Sequence, residues 1–97
     1  MDIVEWRKKI DELDRRMVEL LNERARAAQE IGRLKRSTDM PIYEPDREKK
    51  IAENVKALNG GPISDLELVG IFERIIGVMR DLQKREILDG DGEAGKR

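Results

Sequence analysis

Arg24, Lys35, Arg47 and Gln83 have the types and spacings that could grip a small anion. Arg24 stands in a row of residues seven apart, Ile3, Ile10, Met17, Arg24 and Ile31, beside a second row of Trp6, Leu13, Leu20, Ala27 and Leu34. Apolar residues alternating three and four apart mark a helix that buries a narrow seam against partner helices, so a guanidinium points into that seam. Arginine stays protonated at any ordinary pH, and a charge taken out of water is costly unless an anion pairs with it. Either a carboxylate of the protein neutralises Arg24 or a bound anion does. Lys35 lies eleven residues further on, about three helical turns and roughly 16 Å along the same face. Its long arm either converges with Arg24 on one small molecule or snorkels to water at the helix end.

Arg47 follows Pro45 and Asp46 in what reads as the first turn of a second helix, where a cation opposes the macrodipole. An anionic ligand there would resolve the conflict; so would pairing with Glu44 or Glu48. Gln83 sits four residues after Met79 and seven after Ile76. It is either an amide donor reaching into a buried pocket or an ordinary glutamine at the edge of the core. The chain has no histidine and no cysteine, which removes imidazole and thiol catalysis, disulfides and the usual zinc ligands together. No metal or cofactor is expected. What remains is chemistry done by charge and geometry.

Three helices must position these groups. The first pattern runs from about Asp2 to Arg36, where Ser37, Thr38, Asp39 and the Met40-Pro41 pair break it. At ~1.5 Å per residue it is roughly 50 Å long, whereas a compact domain of this size has a radius of gyration of about 13 Å. The helix must protrude, and its seam wants a second copy of the chain. Pro45 suits the first position of the second helix, with Glu44, Asp46 and Glu48 at its positive end. Ile51, Val55 and Leu58 give that helix its stripe, and Asn59-Gly60-Gly61-Pro62 ends it. Ser64 and Glu67 have capping-box spacing. The third helix carries Leu68, Phe72, Ile75, Ile76, Met79 and Leu82 on one face and is expected to end near Leu88. Gly32, costly inside a helix, predicts close approach by another helix. The expected fold is therefore all-α: a three-helix protomer with one very long N-terminal helix, forming an intertwined helical homodimer. Residues 1–88 form the domain, and 89–97 read as a disordered tail or severed linker.

Composition agrees. Of 97 residues, 38% are hydrophobic, 42% charged and 3% aromatic, which leaves a small core that burial against a partner would extend. Twenty basic and 21 acidic residues nearly cancel, so no global field draws nucleic acid or an acidic membrane. Neither a signal peptide nor a spanning segment is visible, and a cytoplasmic location is the default expectation.

In combination the residues are more specific. The order Arg7, Asp14, Leu20-Leu21, Glu23-Arg24, Ile31-Gly32, Lys35, then 41–48 as Pro-Ile-Tyr-Glu-Pro-Asp-Arg-Glu, then Phe72, Ile75-Ile76 and Gln83 resembles the all-helical (type II) chorismate mutases over about residues 3–87. The resemblance implies an intertwined dimer that converts chorismate to prephenate, in aromatic amino-acid biosynthesis by the shikimate pathway, through an intramolecular [3,3] rearrangement. Carried over by position, Arg24 and Arg47 bind the substrate carboxylates, and Arg7 reaches in from the other protomer. Lys35 and Gln83 meet the ether oxygen. Glu48 holds the ring hydroxyl with the Glu44 backbone assisting. The family often has serine where this chain has Met79, so Met79 is expected only to pack against the ligand. Isochorismate pyruvate lyases resemble these mutases and share a cationic pocket. A non-enzymatic alternative is a helical dimerisation or effector-sensing module whose arginines make only structural ion pairs.

Overall fold

The computed structural model describes the backbone of residues 1–96 and the side chains of residues 1–88. Three helices follow one another: α1 (Ile3–Arg36), α2 (Pro45–Leu58) and α3 (Asp65–Lys96). Asp2 caps α1, its carboxylate accepting from the Glu5 backbone N–H at 2.9 Å, which satisfies a donor the helix itself leaves free. Arg33, Lys35 and Arg36 crowd its last turn, where cations complement the negative end of the dipole. Ser37 closes the helix, with its hydroxyl donating to the Leu34 carbonyl at 3.0 Å.

Pro45 opens α2 as its spacing predicts. Beyond α2, Asn59 builds the turn: its Nδ2 donates to the Ile63 carbonyl and to Asp65, while its Oδ1 accepts from the Gly61 N–H. Gly61 has φ 73°, a region open to glycine and costly for other residues. Ser64 then starts α3, its Oγ accepting from the Glu67 N–H at 3.1 Å and donating to the Glu67 carboxylate at 2.6 Å. That hydrogen bond holds the Glu67 carboxyl below its usual range. The expected end near Leu88 is corrected: the α3 backbone continues to Lys96. The tail expected over 89–97 falls on residues whose side chains lie outside those described, and Arg97 lies outside altogether.

Helix α3 is the shared element, packing on both α1 and α2. It runs alongside α1 in the same direction. Leu21 to Arg26 face Arg74 to Val78, and further along Gly32 meets Gln83 while Arg33 Nε pairs with Glu86 at 3.1 Å. The α1 residues that α3 covers are Ala28, Gly32 and Lys35, a short stripe at spacings of four and three that brings two backbones close. A methyl group at Gly32 would lie 3.0 Å from the Gln83 Cα and 3.2 Å from its carbonyl oxygen. The close approach read from Gly32 is real, and it falls at a candidate site residue.

The two apolar rows of α1 stay outside this core. Trp6, Leu20 and Leu34 are 54%, 61% and 68% exposed. Leu58 departs from expectation: at 85% exposed it belongs to no stripe, and Val55 alone of the α2 residues is buried. The molecule is an elongated slab of 59 × 29 × 14 Å with a radius of gyration of 17.3 Å, well above the ~13 Å of a compact chain of this length. Among the described residues, no helix is long and apolar enough to cross a membrane.

Candidate active site

Where the C-terminal half of α1, the 42–44 connector, the start of α2 and the middle of α3 converge, they line an open-mouthed cavity of about 350 Å³. Arg24, Lys35, Glu44, Arg47, Glu48, Met79 and Gln83 all line it. Seven of the eight site residues expected from the sequence thus meet in one place. Arg7 does not: it lies exposed on the early turns of α1, outside the cavity lining.

Lys35 is the best-held of these groups and only 5% exposed. Its ammonium pairs with Glu44 Oε1 at 2.7 Å and donates to Gln83 Oε1 at 3.0 Å and to the Ile42 carbonyl at 3.3 Å. Snorkelling at the helix end is therefore ruled out. Glu44 also brings its side chain to the cavity, through this pairing with Lys35. With the carboxylate committed to Lys35, Glu44 gives α2 no side-chain cap. Because Lys35 has only donors, the Gln83 amide must turn its oxygen to it, which leaves the Gln83 NH₂ group free to donate into the cavity.

The arginines are arranged differently. Among the described residues, neither Arg24 nor Arg47 has a carboxylate within ion-pair distance: Glu44 is taken by Lys35, and Glu48 lies 3.2 Å from Arg80. The internal neutralisation open to Arg24 and Arg47 at the level of sequence is not realised. Burial, and secondly the nearby Arg47 charge, push the Arg24 guanidinium below its ordinary value. Two like charges thus line one cavity and repel. Counting Arg24, Lys35, Arg47 and Arg80 against Glu44 and Glu48, the lining carries two positive charges in excess.

Apolar walls complete the enclosure. Met79 and Ile76 are 5% and 8% exposed and form its floor with Ile51 and Ala28. Met79 lines the cavity and brings no hydrogen-bonding hydroxyl. Arg80 was not legible as a site residue, although a signal existed: it follows Met79 and stands four residues after Ile76, a charge at the edge of an apolar stripe like Arg24. The Ile42 carbonyl could not have been found from residue types, because any residue supplies one.

The family model for chorismate mutase type II matches residues 6–84. The chain belongs to that family. A type II chorismate mutase fold is also what the solved structures show: the chorismate mutase of Thermus thermophilus superposes with a TM-score of 0.84 in its form II, at 37% identity over 86% of this chain and 94% of that one. The chorismate mutase of Methanocaldococcus jannaschii is 33% identical over 84 residues, covering 86% of this chain and 85% of the relative. A bifunctional chorismate mutase/prephenate dehydratase of Aquifex aeolicus is 39% identical over 88 residues, which are 87% of this chain and 24% of that protein. The chain spans about a quarter of the length of that bifunctional relative.

Proposed function

We propose that this chain is a chorismate mutase, acting in aromatic amino-acid biosynthesis as a homodimer in the cytoplasm. The observation that carries the reading is the pair of guanidinium groups, Arg24 and Arg47, facing one cavity without a carboxylate partner among the described residues. With Lys35 paired to Glu44 and Arg80 to Glu48, the two charges left over, those of Arg24 and Arg47, match a dianion. Chorismate carries two carboxylates, and its [3,3] rearrangement needs no proton transfer and no nucleophile. The catalyst has to hold a compact conformer and stabilise the charge that grows on the ether oxygen as the C–O bond breaks. Lys35 Nζ and the Gln83 NH₂ group are the two donors for that oxygen. All three N–H groups of Lys35 are engaged in the unliganded chain, and the contact to the Ile42 carbonyl, at 3.3 Å, is the longest and the first to yield.

A second copy of the chain serves two purposes in this reading. It covers the exposed rows of Trp6, Leu13, Leu20 and Leu34 on α1, and it delivers its own Arg7 to the cavity mouth. Incubating the purified chain with chorismate tests the proposal, with prephenate as the expected product and a dimer in sedimentation. Unchanged chorismate, or loss of pyruvate from isochorismate in its place, would overturn it.

Two variants probe the donor pair. Gln83 is neutral at every pH, so activity is expected to vary little around neutrality. Gln83→Glu must be protonated to donate, and a carboxyl of ordinary acidity is protonated in roughly one molecule in five hundred at pH 7. The expected result is a fall in kcat of about 10²-fold at pH 7 that recovers as the assay is made more acidic. A pH profile parallel to the parent's would remove Gln83 from the ether oxygen. Gly32→Ala gains about 1 kcal/mol of helix propensity and loses a similar amount by crowding the α3 backbone. Its melting temperature should therefore change little. Displacing Gln83 by a few tenths of an ångström is nevertheless expected to lower kcat by on the order of tenfold, which steady-state kinetics beside a thermal melt would show.

A further inference from the structure

Arg80 lines the cavity, yet the chemistry described so far gives it no part. Its Nε is 3.2 Å from Glu48 Oε2, but the N–H does not point at that oxygen and, being buried, has no acceptor. Its guanidinium carbon sits 5.4 Å from the centre of the Tyr43 ring, within reach of a cation–π attraction. One side chain thus links α3 to α2 through Glu48 and to the connector through Tyr43. Glu48 and Arg80 also line a second cavity of about 390 Å³, between α2 and α3, with Ala52, Val69 and Phe72. With Ile76, which lines both as well, the pair separates the two spaces. Without Arg80, the Glu48 carboxylate has room to turn away from the active site into the α2–α3 groove.

We propose that Arg80 is a positioning residue that holds Glu48 by Oε2, so that Oε1 faces the active-site cavity and accepts a hydrogen bond from the ring hydroxyl of the substrate. The inference rests on the chorismate mutase reading. A small swing of Glu48 toward the Arg80 N–H completes a charge-assisted hydrogen bond, and a hydroxyl seated on Oε1 draws the carboxylate the same way. Arg80 never touches the reacting atoms. Its whole effect passes through Glu48.

A double-mutant cycle on the full chain tests this, with kcat and KM for chorismate measured beside circular dichroism and thermal melting. Arg80→Gln is expected to lower kcat/KM about tenfold, the size of a lost supporting hydrogen bond to a charged group. In Glu48→Gln the same substitution should have no further effect, because nothing is left to position. Arg80→Lys, which keeps the charge but not the planar fork, should recover only part of the loss, and it carries the same cycle if Arg80→Gln fails to fold. Losses that add fully to that of Glu48→Gln, or an unchanged kcat/KM in Arg80→Gln, overturn the proposal. A parent chain that turns over chorismate while the losses add overturns this inference alone; a parent chain inert toward chorismate overturns the functional reading and this inference with it.

Discussion

Lys35→Ala is expected to lower kcat for chorismate by on the order of 10³-fold, the cost of removing one preorganised donor from a developing oxyanion. Two effects compete in that variant. On the proposed mechanism the reaction loses its ammonium donor to the ether oxygen, and the fold loses a buried side chain that bridges the connector to α3 through Ile42, Glu44 and Gln83. The fold term is the smaller. Glu44, with its side chain 31% exposed, can turn to water, and the remaining cavity and unpaired amide oxygen cost about 1–3 kcal/mol. A lower melting temperature with an intact helical spectrum is therefore expected beside near-complete loss of turnover. A mutase of about 10⁶-fold acceleration needs about 8 kcal/mol of differential stabilisation, and Lys35 is asked for up to half of it. Near-normal kcat in a folded Lys35→Ala protein would show that the ether oxygen is met by something else.

How much of this was legible in the sequence depended on whether a residue's role is local. Pro45 at the head of α2, the Ser64–Glu67 cap and the Asn59–Gly61 turn answer to near neighbours, and each could be read directly. Gly32 and Arg24 could be read as anomalies, a poor helix former and a charge on an apolar row, and both mark the site. The alternatives at Arg24, Lys35 and Arg47 could not be separated on spacing, because which carboxylate meets which cation is set by packing between distant segments. Packing decided among them. It sent Glu44 to Lys35 and Glu48 to Arg80, leaving the two arginines over. Leu58 shows the opposite failure, since its spacing is right for the α2 stripe and yet it is 85% exposed.

Arg24→Leu is expected to separate activity from stability. Arg24 is part-buried and, among the described residues, meets no carboxylate; its proton is held less firmly than usual, through burial first and the Arg47 charge second. The unliganded fold gains nothing from that charge. It bears a desolvation cost and a repulsion, both moderated by solvent because the group is not fully enclosed. Leucine at this position continues the row of Ile3, Ile10, Met17 and Ile31, so the variant should melt higher, by a stability gain of about 0.5–1 kcal/mol. On the proposed reading the substrate loses one of the charges that hold its carboxylates, and kcat/KM should fall by on the order of 10²- to 10³-fold, as when a charge-assisted contact in a part-buried pocket is removed. Ligand linkage gives a second readout: a bicyclic dianionic transition-state analogue should raise the parent's melting temperature in proportion to its binding and leave that of Arg24→Leu nearly unmoved. Were Arg24 a structural ion-pair residue, the same substitution would lower the melting temperature and strand a carboxylate. The sign of one thermal shift therefore distinguishes an arginine kept for its ligand from one kept for its fold.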